Sequence, residues 1–233
     1  MNRHPSLLCT NGTRGSTSLR EIARGLSTML RRKVFRTTRA NARRKQFKYG
    51  QPINKLEQYR WFEANNIPSV EYTDDIEQAQ TWLHDGLTVF GRKLLNASCG
   101  RGIVVMESPD AFQRCPVYTK YKKKKREFRI HIFKNSVVTV VEKKRKRAFE
   151  GLRDTKIRNL ENGYVFVQSV ENLPIGLNDL ALRAAAVTQS DFKGVDIGYN
   201  ERNNELFVIE VNSAPGIQGS NIGKYLNEII KHV

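Results

Sequence analysis

The stretch Phe207-Val-Ile-Glu210-Val-Asn212-Ser-Ala-Pro-Gly216 decides how this chain is read. Its apolar, β-branched first half predicts a strand, and residues two apart on a strand share a face. Glu210 and Asn212 therefore project together, with Ile209 and Val211 expected on the opposite face. A carboxylate beside a carboxamide is costly to bury unless something binds it. Magnesium suits such a pair, because it takes one or two carboxylates and completes its octahedron with phosphate oxygens and water. On these two residues alone, ordinary hydrogen bonding at a strand end accounts for the pattern equally well.

Upstream, Gly194-Val-Asp196-Ile-Gly reads as the antiparallel partner of that strand across an Asn203-Asn204 turn, so Asp196 could supply a third oxygen. Still earlier, Leu87 to Leu95 and Ile103 to Met106 read as two strands around the glycine-containing loop Asn96 to Gly102. The backbone of that loop and the Ser98 hydroxyl could meet phosphate, with Arg92 and Lys93 leading in. There is no GxxxxGK[ST] motif and no GxGxxG opening a helix, so neither of those nucleotide sites is expected. Strands are also expected over 116–121, 128–133 and 137–141, and helices from Asn54 to Ile67, from Asp74 to Leu83, after an Asn178 or Asp179 cap, and over Ile222 to Ile230. The opening 6–50 reads as a small, weakly cored unit.

These segments occur in the order and approximate spacing of a known family. Lys93-Leu-Leu-Asn-Ala-Ser-Cys-Gly-Arg-Gly-Ile, Glu127-Phe-Arg129-Ile-His, Gly194-Val-Asp196-Ile and Ile209-Glu210-Val-Asn212-Ser-Ala-Pro-Gly216 resemble the ATP-grasp ligases, most closely the ribosomal-protein glutamate ligase branch. Small relatives of this kind occur in bacteriophage genomes. The resemblance spans about residues 52–233 and implies an α+β, two-lobed ATP-grasp fold. It implies an N-lobe with the phosphate loop over 52–115 and a C-lobe with the metal site over 116–233; the N-terminal domain of the family departs from the pattern here, reduced to a basic subdomain over 1–51. It implies a ligase that uses ATP and magnesium to turn a carboxylate into an acyl phosphate, which an amine then attacks. Carried over by position, Lys93, with Arg92 as the adjacent candidate, would hold the α- and β-phosphates, with Ser98, Gly100 and Gly102 closing over them. The 117–121 hinge, including Tyr118, Lys120 and Tyr121, would read adenine through its backbone. Arg129 would face the γ-phosphate or acyl phosphate, Lys144 and its neighbours the developing charge, and Asp196, Glu210 and Asn212 the magnesium. Lys120 departs from the acidic hinge residue that many relatives carry.

Composition bounds the rest. The chain has 233 residues and a formal charge of +17 from 40 Lys plus Arg against 23 Asp plus Glu. The charge is concentrated in residues 1–60 (+13) and 120–147 (+11), while 61–119 (−4) and 148–233 (−3) are acidic. Two such segments imply a polyanionic partner, nucleic acid, nucleotide phosphates or an acidic polypeptide, unless they are solvated surface. No apolar run approaches the ~18 residues of a membrane span, the opening Met1 to Gly12 lacks a signal-peptide core, and the three cysteines fit neither a disulfide framework nor a zinc site. A cytoplasmic protein with no membrane role is expected. A non-catalytic, basic nucleic-acid-binding protein on the same frame is the alternative; it gives no reason for Asp196, Glu210 and Asn212 to converge. His131 alternates along its strand and is expected to be structural, and Cys99 to be a tolerated small residue.

Overall fold

A computed structural model describes residues 5–9, 13–41, 45–51, 53–96, 102–148, 156–159, 161–168 and 170–233. Its centre is a five-stranded antiparallel sheet built from β8 (Arg126–Phe133), β9 (Ser136–Arg145), β10 (Tyr164–Val167), β11 (Phe192–Asn200) and β12 (Glu205–Asn212), in the order β10-β9-β8-β11-β12. Alternation gives this sheet two unlike faces. Phe128, Ile130, Ile132, Val195 and Ile197 turn to a core completed by α2 (Lys55–Ala64) and α4 (Leu177–Ala185). Glu127, Arg129, His131 and Asp196 turn to the other side, where a cavity opens. A register shift in the β11–β12 ladder sets Asp196 opposite Glu210 but Ile197 opposite Val208, leaving Ile209 as the extra residue. That bulge lets Ile209 and Glu210 both reach the cavity, so the expectation that Ile209 would sit on the opposite face fails.

Across the cavity lies a four-stranded antiparallel sheet of β4 (Tyr72–Thr73), β5 (Val89–Arg92), β6 (Ile103–Met106) and β7 (Val117–Lys120), in the order β4-β7-β5-β6. Helix α3 (Ile76–His84) covers its far face through Ala79, Trp82 and Leu83. The cap of α3 is Asp75, whose Oδ1 accepts from Glu77 N at 2.9 Å; Asp74 instead pairs with Arg60 at 2.6 Å. Helix α2 begins where Asn54 predicts, its Oδ1 accepting from Leu56 N at 2.9 Å. Helix α4 differs from expectation. Gly176, at φ +80°, precedes it, so Asn178 and Asp179 fall inside the first turn, where Asp179 complements the helix dipole.

The opening residues form β1 (Ser6–Cys9), α1 (Thr17–Met29), β2 (Phe35–Thr37) and β3 (Gln46–Tyr49), a parallel sheet in the order β2-β1-β3 with one helix. The expectation of a weak core there is not met. Leu7, Leu19, Ile22 and Leu26 are fully buried, because α5 (Ser220–Ile230) adds Tyr225 and Ile229 and the five-stranded sheet adds Phe133 and Phe192 to the same cluster. Those partners lie more than 100 residues away in the sequence, and Tyr225 and Ile229 about 200, which hides the core from local pattern. The chain is thus α+β with two lobes around one cleft. Among the described residues no helix is long and apolar enough to cross a membrane.

Candidate active site

The cleft holds a cavity of about 760 Å³ whose charged end is organised by two carboxylates facing each other across the β11–β12 ladder. Asp196, 2% exposed, accepts from Arg129 Nε and Nη2 at 2.7 and 2.8 Å and from Lys143 Nζ at 3.0 Å. Glu210 pairs with Lys55 Nζ at 3.0 Å, lies 3.8 Å from Arg92, and accepts from Asn212 Nδ2 at 3.0 Å. Burial alone would raise both carboxyls. The Arg129 and Lys143 charges outweigh it at Asp196, the Lys55 and Arg92 charges at Glu210, and both acids are held below the ordinary carboxylate range. Two ionised carboxylates and the amide oxygen of Asn212 make a hard-oxygen donor set of the kind magnesium takes. Among the described residues no group of three or more His, Cys, Asp or Glu could hold a metal. An ion here would therefore need oxygens from a bound ligand to complete its shell.

The same end carries excess cation. Arg92, Lys124, Arg129, Lys143, Lys156 and Arg158 line the cavity against Glu127, Asp196 and Glu210. Lys143 bridges Glu127 at 2.5 Å and Asp196, while burial lowers the Lys124 ammonium despite Glu127 at 3.6 Å. Phe166 on β10 lies under the Arg129 guanidinium at 4.6 Å and the Lys143 ammonium at 5.6 Å. Val70, Phe90, Ile103, Val141 and Ile209 with Tyr121 give the cavity an apolar wall. A ligand with a flat apolar part and a polyanionic part matches this division.

The structure separates residues that the sequence left as neighbours. Phe90 and Arg92 face the cavity from β5; Lys93 is exposed, does not line it, and places its charge near Cys115. On β9, Val141 and Lys143 face in, whereas Lys144 is largely exposed and pairs with Glu142 at 3.5 Å. Lys144 itself is thus turned away from the cavity, and among its neighbours the alternation of the strand brings Lys143 in. On β7, Thr119 faces the cavity. Tyr118 is buried on the far side, where its hydroxyl accepts from Cys115 N at 2.7 Å, and Lys120 lies over Trp82 at 4.6 Å and pairs with Glu71. Lys120 and Tyr121 line the cavity; Tyr118 does not. Gly102 sits at φ +75°, where a Cβ would come within 3.0 Å of Leu94. Ser98, Cys99 and Gly100 lie outside the described residues. His131 is buried, with Nδ1 at 3.2 Å from the Tyr225 hydroxyl, and burial together with Arg129 lowers its pKa to about 3, so it is a neutral imidazole.

Sequence reading missed Lys55 and Gln58. One turn apart on α2, they reach the edge of β12: Gln58 donates to Val211 O and accepts from Val211 N, both at 3.0 Å, while Lys55 meets Glu210. The fully buried Gln58 so closes the sheet edge with side-chain amide in place of a strand. The only signal was a lysine immediately after a helix cap. Strand β10 with Phe166 was also missed, being four residues long and isolated.

A family profile described as the RimK-like ATP-grasp domain matches residues 73–231, more than half of the chain. Among solved structures, the ATP-grasp ligase PsnB complexed with minimal precursor is similar with a TM-score of 0.71 at 11% identity, covering 100% of each chain. D-alanine–D-alanine ligase from Bacillus anthracis is similar at 0.63 and 13%, covering 99% of this chain and 97% of that one. The RimK domain protein from Sphaerobacter thermophilus DSM 20745 is similar at 0.61 and 11%, covering 96% of each. Identities this low speak for the fold. No curated protein matches the chain in sequence.

Proposed function

Because the chain belongs to the RimK-like ATP-grasp family, we propose that it is an ATP- and magnesium-dependent ligase that joins a carboxylate to an amine. The observation that carries this reading is the pairing of Asp196 with Glu210 at the base of a cavity divided into a cationic end and an apolar wall. Asp196, Glu210 and Asn212 would hold magnesium, which when bound supplies charge neutralisation to the phosphate oxygens. Arg129, Lys143 and Lys55 satisfy the two carboxylates. These cations would lie beside the phosphates and offset their charge, as would Arg92. The backbone of 119–121 and the Phe90, Ile103 and Ile209 side chains would receive the base, with Gly102 and the loop before it over the phosphates.

Transfer to a carboxylate needs positioning and charge compensation more than an enzyme nucleophile. The substrate carboxylate oxygen takes the γ-phosphoryl group with release of ADP, and the amine then displaces phosphate from the acyl carbon with loss of one proton. Arg129 and Lys143, fixed by Asp196 and Glu127, would hold the transferring group in place. Hydroxylamine tests the reading without knowledge of the acceptor, because it captures an activated acyl group as a hydroxamate. Candidate amino acids and acidic peptides, incubated with ATP, magnesium and hydroxylamine, should yield hydroxamate together with ADP for at least one carboxylate. ADP release with no hydroxamate from any carboxylate would count against acyl activation.

A further inference from the structure

The described residues 5–51 carry seven arginines and three lysines against one acid, Glu21. Among the described residues none of the ten makes an ion pair. The second basic segment behaves differently. Lys120, Lys122, Lys124, Arg126, Lys143 and Lys144 each meet a carboxylate, respectively Glu71, Glu205, Glu127, Glu142, Asp196 with Glu127, and Glu142. In that segment Lys123, Lys125, Lys134, Lys146 and Arg147 make no ion pair among the described residues, whereas on the N-terminal unit none of the ten described cations does.

Its cations follow one another along the chain. Arg20 and Arg24 stand one turn apart on the exposed face of α1, Arg31 to Lys33 follow its end, Arg36 lies in β2, the edge strand of its sheet, and Arg39 just beyond it. The Arg36 guanidinium donates to Arg14 O at 2.7 Å, which joins the β2 edge to the segment before α1. The unit is fastened to the cavity rim: Gly50 N donates to Ser213 O, the Tyr49 hydroxyl to Pro215 O and Ile217 N to the Ser18 hydroxyl, each at 2.9 Å. The next residue of that rim loop to line the cavity is Gly216.

We propose that this unit is a docking surface for the sugar–phosphate backbone of a nucleic acid, held beside the rim of the cavity. Arginine outnumbers lysine, and its planar fork pairs bidentately with phosphate. Protein–protein interfaces are depleted of charge at their centre, whereas nucleic-acid interfaces are strongly basic; against ten cations, Met29 and Phe35 are the only exposed large apolar groups among the described residues of this unit.

The test titrates the full chain, by fluorescence anisotropy across a salt series, with RNA and DNA single strands of about 20 nucleotides, longer than the roughly 4–16 that a compact module covers, and with polyglutamate of equal length. The variant carries Arg20→Gln, Arg24→Gln, Arg31→Gln and Arg39→Gln. Its Kd for the oligonucleotides should rise at least tenfold near 0.1 M salt, and its log–log salt slope should fall by about 3, at roughly 0.7 per phosphate contact. The same positions changed to lysine should keep most of the slope, and both variants should keep the parental unfolding midpoint. Equal oligonucleotide affinity for parent and glutamine variant would overturn the proposal and leave the arginines as guards of an edge strand. Tighter binding of polyglutamate than of either oligonucleotide would overturn it in favour of an acidic polypeptide.

Discussion

Replacing Lys55 by methionine tests whether the Glu210 carboxylate depends on the ion pair from α2. The two side chains are 4% and 15% exposed and 3.0 Å apart. Removing one partner of a buried pair leaves an uncompensated charge, at a cost of about 3–5 kcal/mol. Arg92 at 3.8 Å and the Asn212 hydrogen bond remain to Glu210, which places the cost at the low end, about 3 kcal/mol. For a chain of this size that corresponds to a fall in Tm of about 6–12 °C. The sign of the pH dependence follows from Glu210, whose folded pKa is depressed. Such a group adds stability above the unfolded carboxylate pKa of about 4.3 and loses it as pH falls below that value. Without Lys55 the folded pKa rises, so the deficit should be full at neutral pH and shrink under acid conditions. Calorimetry of Lys55→Met, Glu210→Gln and the double variant reads this directly. Against the neutral amide, Lys55→Met should cost almost nothing. An equal loss of Tm in both backgrounds, or a single-variant loss under about 2 °C, would refute the reasoning.

Arg92→Ala should weaken ATP binding at least tenfold by isothermal titration, and Lys93→Ala less than twofold, because only Arg92 faces the cavity. Lys143→Ala should lower turnover far more than Lys144→Ala when ADP release is measured, since Lys143 alone bridges Glu127 and Asp196. The His131 ring should show no titration between pH 5 and 8 by NMR, as its pKa is lowered to about 3; because the unfolded imidazole does take a proton near 6.5, stability should decline as pH falls below that value.

What the sequence revealed was periodic and local. The hairpin carrying Asp196, Glu210 and Asn212 was legible because its strands alternate and Asn203-Asn204 marks the turn; Asn204 adopts φ +52° there. Which member of a charged pair faces inward was not legible for Arg92 and Lys93 or for Lys143 and Lys144, since a one-residue slip in register exchanges the faces. The bulge at Ile209 shows how little such a slip needs. Lys55 was invisible for another reason: its charge acquires meaning only through Glu210, brought to it by the packing of α2 on β12. The buried core of the N-terminal unit likewise depends on Tyr225 and Ile229 at the other end of the chain.

The most direct test of a carboxylate-dependent ATP site is ADP formation by the parent and by Glu210→Gln, with magnesium, across amino acids crossed with peptide and nucleic-acid acceptors. The account predicts carboxylate-dependent ADP release by the parent for at least one combination. It predicts loss of that release in Glu210→Gln, which should still unfold cooperatively. Parental ADP release by a folded Glu210→Gln protein would contradict it.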